Sequence, residues 1–251
     1  MNYTYSEYIS LLKYLNEQGY CFGDYENYQK YPKTVILRHD IDTSIEKALR
    51  FAEIEEQLHL GISASYFVML STDFYNIASA ESLKMIERIT SLGGKIGLHF
   101  DEVKYCRVSD DEWSKDSMIE YILKEKEILE LITGIKINTV SMHRPSQHTL
   151  ETDLQIPGMI NTYGKVFFEG FKYISDSYHR WREDPWETID KKYPRLHLLT
   201  HAFWYNEAPL SRSESFRQYI SEGEQFRYDL LEKNLLPPGV SLKQSFEEEN
   251  G

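Results

Sequence analysis

Apolar residues recur along this chain in two alternating rhythms. Tyr8, Leu11, Leu12 and Leu15 fall on one side of a helix predicted over residues 5–18, which Gly19 stops. Residues 21–33 read as a loop. The run 34–39 then predicts a buried strand, and residues 44–58 a helix with Ile45, Ala48, Leu49 and Ala52 on one face. Thr43 followed three residues later by Glu46 has the capping-box pattern for the start of that helix. The alternation continues with a strand at 63–70, a helix at 76–92 and a strand at 95–99. A long helix at 111–132 and a strand at 139–143, ended by Pro145, follow. Strand and helix alternating through short connections predict parallel strands with right-handed crossovers.

The second half is less regular. Residues 171–175 and 196–201 read as strands and 213–233 as a terminal helix. One domain is expected over residues 1–235. Residues 236–251, with Pro237-Pro238-Gly239 and Glu247-Glu248-Glu249, read as a flexible tail.

Composition narrows the partners. The chain has 251 residues, 41% of them apolar, enough for one large core. A net charge of −12 argues against nucleic acid and against anionic membrane surfaces. No apolar run approaches the ~20 residues that span a bilayer. The first residues lack the basic region and apolar core of a signal peptide. Cys21 and Cys106 are the only cysteines and form neither a ligand cluster nor a disulfide framework, so a cytoplasmic protein with reduced thiols is expected.

The polar residues supply the chemistry. Asp40 and Asp42 stand two apart at the end of the first long strand, on one face of it. Two such carboxylates repel each other, and a divalent cation is the usual counterweight. Other predicted strand ends carry ionisable groups as well: His99 and Asp101, His143 and Arg144, Asp176, and His201. Parallel α/β folds gather the carboxyl ends of their strands on one rim, so these groups should converge. Carboxylate and imidazole ligands with one position open suit a catalytic Zn²⁺-type site.

Four segments resemble, in order and spacing, the motifs of the polysaccharide deacetylases, carbohydrate esterase family 4. They are Arg38-His39-Asp40-Ile41-Asp42, Lys95-Ile96-Gly97-Leu98-His99, His143-Arg144-Pro145 and Leu198-Leu199-Thr200-His201. The first looks most like the cytoplasmic subgroup marked by Arg-His-Asp-x-Asp, often associated with surface-polysaccharide gene clusters. The resemblance runs from about Thr34 to Tyr205. It implies an α/β fold, an irregular (β/α) barrel of about seven parallel strands. It also implies metal-dependent removal of an acetyl group from an N- or O-acetylated sugar, with one divalent ion, Zn²⁺ being expected. By position Asp40 matches the general base, Asp42 and His99 two metal ligands, and His201 the general acid. Asp176 matches a carboxylate that orients groups in the site.

Two departures stand out. Val103 occupies the position of the family's second metal histidine, and His143 that of the arginine in its Arg-x-Pro motif. His143 is therefore expected as third ligand, with Asp101 as the alternative. His39 should face away from the site, packed or hydrogen-bonded behind it. His59, His148, His179 and His197 carry no supporting pattern. Arg144 and Arg182 are candidates for substrate contact, though Arg182 equally suits a structural ion pair. Among Phe203, Trp204 and Tyr205, a ring such as Trp204 either stacks on a sugar or packs in the core. A non-catalytic metal- or sugar-binding protein that keeps the barrel is the alternative reading, favoured by Val103.

Overall fold

The structure, a computed structural model, describes residues 1–105 and 113–242. Helix α1 (Tyr5–Glu17) opens the chain, with Tyr8, Leu11, Leu12 and Leu15 buried as their spacing predicts. Strands β1 (Cys21–Gly23) and β2 (Thr34–Ile41), helix α2 (Ile45–Gln57), strand β3 (Ser65–Val68), helix α3 (Ala80–Ser91) and strand β4 (Lys95–Phe100) follow. Next come helix α4 (Lys115–Thr133), strand β5 (Thr139–Met142), helix α5 (Gln147–Glu151), strand β6 (Ile160–Asn161) and helix α6 (Lys165–Phe168). Strand β7 (Lys172–Ser175), helix α7 (Pro185–Asp190), strand β8 (Arg195–Thr200) and helix α8 (Arg212–Leu235) complete the series.

Every strand pairing is parallel. The order β6-β5-β4-β3-β2-β8-β7 places seven strands in one sheet, with β1 beside the first half of β2. This curled, half-closed sheet with flanking helices is the irregular (β/α) barrel the sequence predicts. Strand β2 is its axis, bonded to β1, β3 and β8. All eight of its residues are buried, as a strand covered on both faces must be. Its alternate residues divide the interior. Val35, Leu37 and Ile41 join the large core under the helices. Ile36 joins a second cluster with Tyr25, Phe67, Phe167 and Phe171. Arg38 and Asp40 follow Ile36 on the same face of the strand.

Local chemistry shifts several element ends. The cap of α2 is Ser44, whose hydroxyl accepts from the Lys47 amide at 3.2 Å, so the expected Thr43–Glu46 box does not form. The chain is held one residue further on because Thr72 Oγ1 ties down the Asp42 carbonyl at 3.1 Å. Helix α3 starts at Ala80 and not near residue 76, since Asn76 Oδ1 takes the Ala78 amide into a turn and Ser79 caps the helix. Ser114 caps α4. The expected start of that helix at Asp111, Cys106, and the Glu247-Glu248-Glu249 run lie outside the described residues. A true capping box, Ser211 with Glu214, opens α8. Residues 21–23, expected as loop, form β1 because Cys21–Gly23 pair with Thr34–Ile36.

The chain divides into two compact units, Met1–Glu207 and Ala208–Gly251. All strands and the residues discussed next lie in the first. No helix among the described residues is long and apolar enough to cross a membrane.

Candidate active site

Four strand ends deliver the central cluster. Asp40 is the penultimate residue of β2 and Asp42 follows its end; His99 is the fifth residue of β4. His143 follows β5, tied to β4 by its amide, which donates to the Phe100 carbonyl at 2.8 Å. His201 follows β8. One ligand atom from each of three residues converges here. Asp42 Oδ1 lies 3.1 Å from His99 Nε2 and 3.3 Å from His143 Nδ1, and the two nitrogens are 3.2 Å apart. Asp42 Oδ1 is buried yet accepts no hydrogen bond.

This near-equilateral triangle fits a cation. A tetrahedral ion with bonds of about 2.0–2.1 Å holds its ligand atoms about 3.3 Å apart. Asp42, His99 and His143 could hold a metal ion on these distances. A carboxylate and two imidazoles are also donors of the kind that hold a divalent transition metal. Asp101 is engaged elsewhere. Its carboxylate binds the Arg144 guanidinium and accepts from the Val103 amide at 3.3 Å. Val103 is exposed on the turn Glu102–Lys104.

Charge organises the groups around the triangle. Burial alone would push the Asp42 carboxyl up, but His143, His99 and His201 hold it well below the usual carboxylate range. Burial would likewise lower His143, and Asp42 more than offsets that, leaving it raised. Asp40 Oδ2 is 3.5 Å from His99 Nε2. Both Asp40 oxygens accept from Arg38, Nε to Oδ1 at 2.8 Å and Nη2 to Oδ2 at 2.7 Å. Burial pulls Asp40 up and Arg38 pulls it down, with a lowered pKa as the net result. Arg38 is itself fully buried. It also donates to Ser141 Oγ and, at 3.5 Å, to Thr162 Oγ1, and it lies over the Tyr163 ring at 5.1 Å.

His201 stands on the other side, its Nε2 3.8 Å from Asp42 Oδ2. Its Nδ1 meets the fully buried Asp176 at 2.6 Å, and the same carboxylate accepts from the His201 amide at 3.0 and 3.1 Å. Burial would lower the imidazole, but Asp176 dominates and raises it to about 9. The ring is oriented through Nδ1, with Nε2 facing the cluster.

The structure thus brings Asp40, Asp42, His99, His143, Asp176 and His201 together. Arg144 lies beside them, 56% exposed, on Asp101. Arg182 is exposed in the segment before α7. Trp204 is half-buried against the rings of His179 and Phe203, while Tyr205 is core, packed on Tyr3, Tyr8 and Phe51. His39 faces the other way, as expected, bound to Thr200 Oγ1 at 2.6 Å and Glu55 at 2.8 Å.

No protein-family model matches the chain, and no curated protein matches it. Solved structures do. The family 4 acetyl xylan esterase from Clostridium thermocellum, in complex with a cobalt ion, is 12% identical with a TM-score of 0.42, covering 86% of this chain and 91% of that one. The Streptococcus pyogenes deacetylase PplD, in complex with acetate, is 16% identical with a TM-score of 0.41, and the match spans 57% of this chain and 65% of PplD. The family 4 pseudoenzyme BA3943 from Bacillus anthracis is 15% identical with a TM-score of 0.42, covering 78% of this chain and 62% of that one.

Arg38, Ser141 and Thr162 are site residues that the strand-end pattern does not single out. Arg38 carries one signal: it is two residues before Asp40 on the same strand face, a cation placed between an apolar floor and a buried carboxylate.

Proposed function

We infer that this protein is a metal-dependent hydrolase that removes an acetyl group from an N- or O-acetylated sugar, in surface-polysaccharide metabolism in the cytoplasm. The observation that carries this reading is the triangle of Asp42 Oδ1, His99 Nε2 and His143 Nδ1, with sides of 3.1–3.3 Å, flanked by Asp40 and by His201. These three residues would hold one divalent ion, Zn²⁺ being the expected one. When bound, such an ion polarises the acetyl carbonyl and makes water a better nucleophile at neutral pH.

The chain's own groups supply the proton transfers. Asp40 takes the proton of the attacking water, and Arg38 fixes both its oxygens so that its position does not change during the reaction. His201 gives its Nε2 proton to the departing nitrogen or oxygen while Asp176 keeps the ring oriented and cationic. Arg144, Arg182 and Trp204 are the substrate contacts in this reading.

Metal content and activity on one preparation test it. Purified protein is expected to hold about one ion per chain, as one triad provides for. Chelation should abolish deacetylation of acetylated glucosamine oligosaccharides, and zinc should restore it. Asp40→Asn should keep the ion and lose turnover by roughly 10²–10⁴-fold. No stoichiometric ion and no effect of chelation would sink the hydrolase and favour a sugar-binding protein.

A further inference from the structure

The turn after Asp176 presents an aromatic side chain that the fold itself does not use. Tyr178 and His179, consecutive in the turn Ser177–His179, have φ of 61° and 60°. Side-chain-bearing residues enter that left-handed region only where their surroundings impose it. Here both ends impose it. Upstream, the Asp176 carboxylate is fixed by His201, its carbonyl accepts from the Arg180 amide at 3.3 Å, and the Ser177 amide donates to Ser175 Oγ at 3.2 Å. Downstream, the His179 ring packs on Tyr3 at 4.1 Å and on Trp204 at 5.1 Å.

Between these anchors Tyr178 is 79% exposed, more than any other Phe, Tyr or Trp among the described residues. The positive φ strains the backbone, and so exposed a ring buries little apolar surface. The position is informative. Tyr178 lies just past the end of β7, beside the strand that carries His201. It also lies, with Asp42, within electrostatic reach of the Arg144 guanidinium. Arg144 follows β5 and Tyr178 follows β7, so both stand past the carboxyl ends of parallel strands, on the rim that carries the cluster.

We propose that Tyr178 is a substrate-binding residue whose ring stacks on the pyranose face of the acetylated sugar, opposite Arg144. The carbon face of a pyranose is apolar and flat, which an exposed aromatic ring complements. A strained turn anchored at Asp176 and at the His179 ring keeps the Tyr178 ring out of the core, two residues from the carboxylate that holds His201. The inference rests on the sugar-deacetylase reading and names a side chain that determines its affinity.

The test uses the zinc-loaded full chain, with Tyr178→Phe, Tyr178→Ala and Tyr178→Gly. Binding of the N-acetylglucosamine tetrasaccharide is followed by calorimetry, deacetylation by kinetics. Tyr178→Ala and Tyr178→Gly should each weaken Kd and raise KM about tenfold, whereas the phenyl ring of Tyr178→Phe preserves both within about twofold. Tyr178→Gly should at the same time raise the thermal midpoint, because glycine accepts positive φ without strain; a purely structural tyrosine predicts no affinity loss in that more stable variant. Equal Kd values for wild type and Tyr178→Ala, whether measurable or both too weak to detect, overturn the proposal. Absence of turnover in the wild type overturns the hydrolase reading alone, and the Kd comparison still decides the role of Tyr178.

Discussion

Arg38 and Asp40 are two residues apart, on one strand, and buried together. A guanidinium taken out of water needs its partner as much as the partner needs it. Arg38→Gln should therefore lower the unfolding free energy by about 3–5 kcal/mol in urea titrations, since it leaves the Asp40 charge buried and unpaired. His197 makes a second residue-scale case. It is buried, its Nε2 is hydrogen-bonded with the Tyr25 hydroxyl at 2.7 Å, and burial with the nearby Arg38 charge lowers its pKa from 6.5 to about 3. The folded pKa lies below the unfolded one, so between these values only the unfolded chain takes up the proton. Stability is then complete above pH 6.5 and falls as pH drops towards 3. At pH 5 the loss relative to pH 7.5 should be about 2 kcal/mol from this group, and His197→Gln should remove that part of the pH dependence.

At the scale of elements, β4 shows how a site can depend on a residue with no side chain. Gly97 pairs in register with Phe67 of β3. A Cβ at Gly97 would meet Phe67 Cε1 at 2.4 Å and Thr139 Oγ1 at 2.6 Å. Phe67 belongs to the apolar cluster beneath Arg38, and His99 is two residues further along β4 on the same face. Gly97→Ala should thus cost about 1–3 kcal/mol by overpacking. It should also lower metal affinity more than a surface change of equal stability cost, measured by zinc titration against a competing chelator. The helices are tuned more locally. Ser44 rather than Thr43 caps α2, and Ser44→Ala should cost about 1 kcal/mol.

At the scale of the molecule, one ion would tie β2, β4 and the end of β5 together. Ligand binding to the folded state alone adds stability by mass action. Zinc at about 100 times its Kd should raise the unfolding free energy by about 2.7 kcal/mol, and Asp42→Ala or His143→Ala should abolish that increment. A thermal shift with and without zinc measures it. The single domain over residues 1–235 stands as a proposal, checked by limited proteolysis. A resistant fragment ending near residue 235 is expected, and one ending near Glu207 overturns it.

The sequence by itself determined the alternation of strands and helices, the parallel sheet and the rim. Each of these follows from periodicity within a short stretch, and from the rule that parallel strands end on one side. Hence Asp40, Asp42, His99, His143, Asp176 and His201 are legible as one group in the sequence itself. Only the tertiary structure decided what they do to one another. That His143 rather than Asp101 completes the triangle depends on Arg144 claiming Asp101. That Asp40 is clamped depends on Arg38 being folded over Phe67, with Ser141 and Thr162 from other strands and loops within reach. Such choices are made between residues distant in the chain, where the winning partner is set by packing and desolvation, and no local spacing records them.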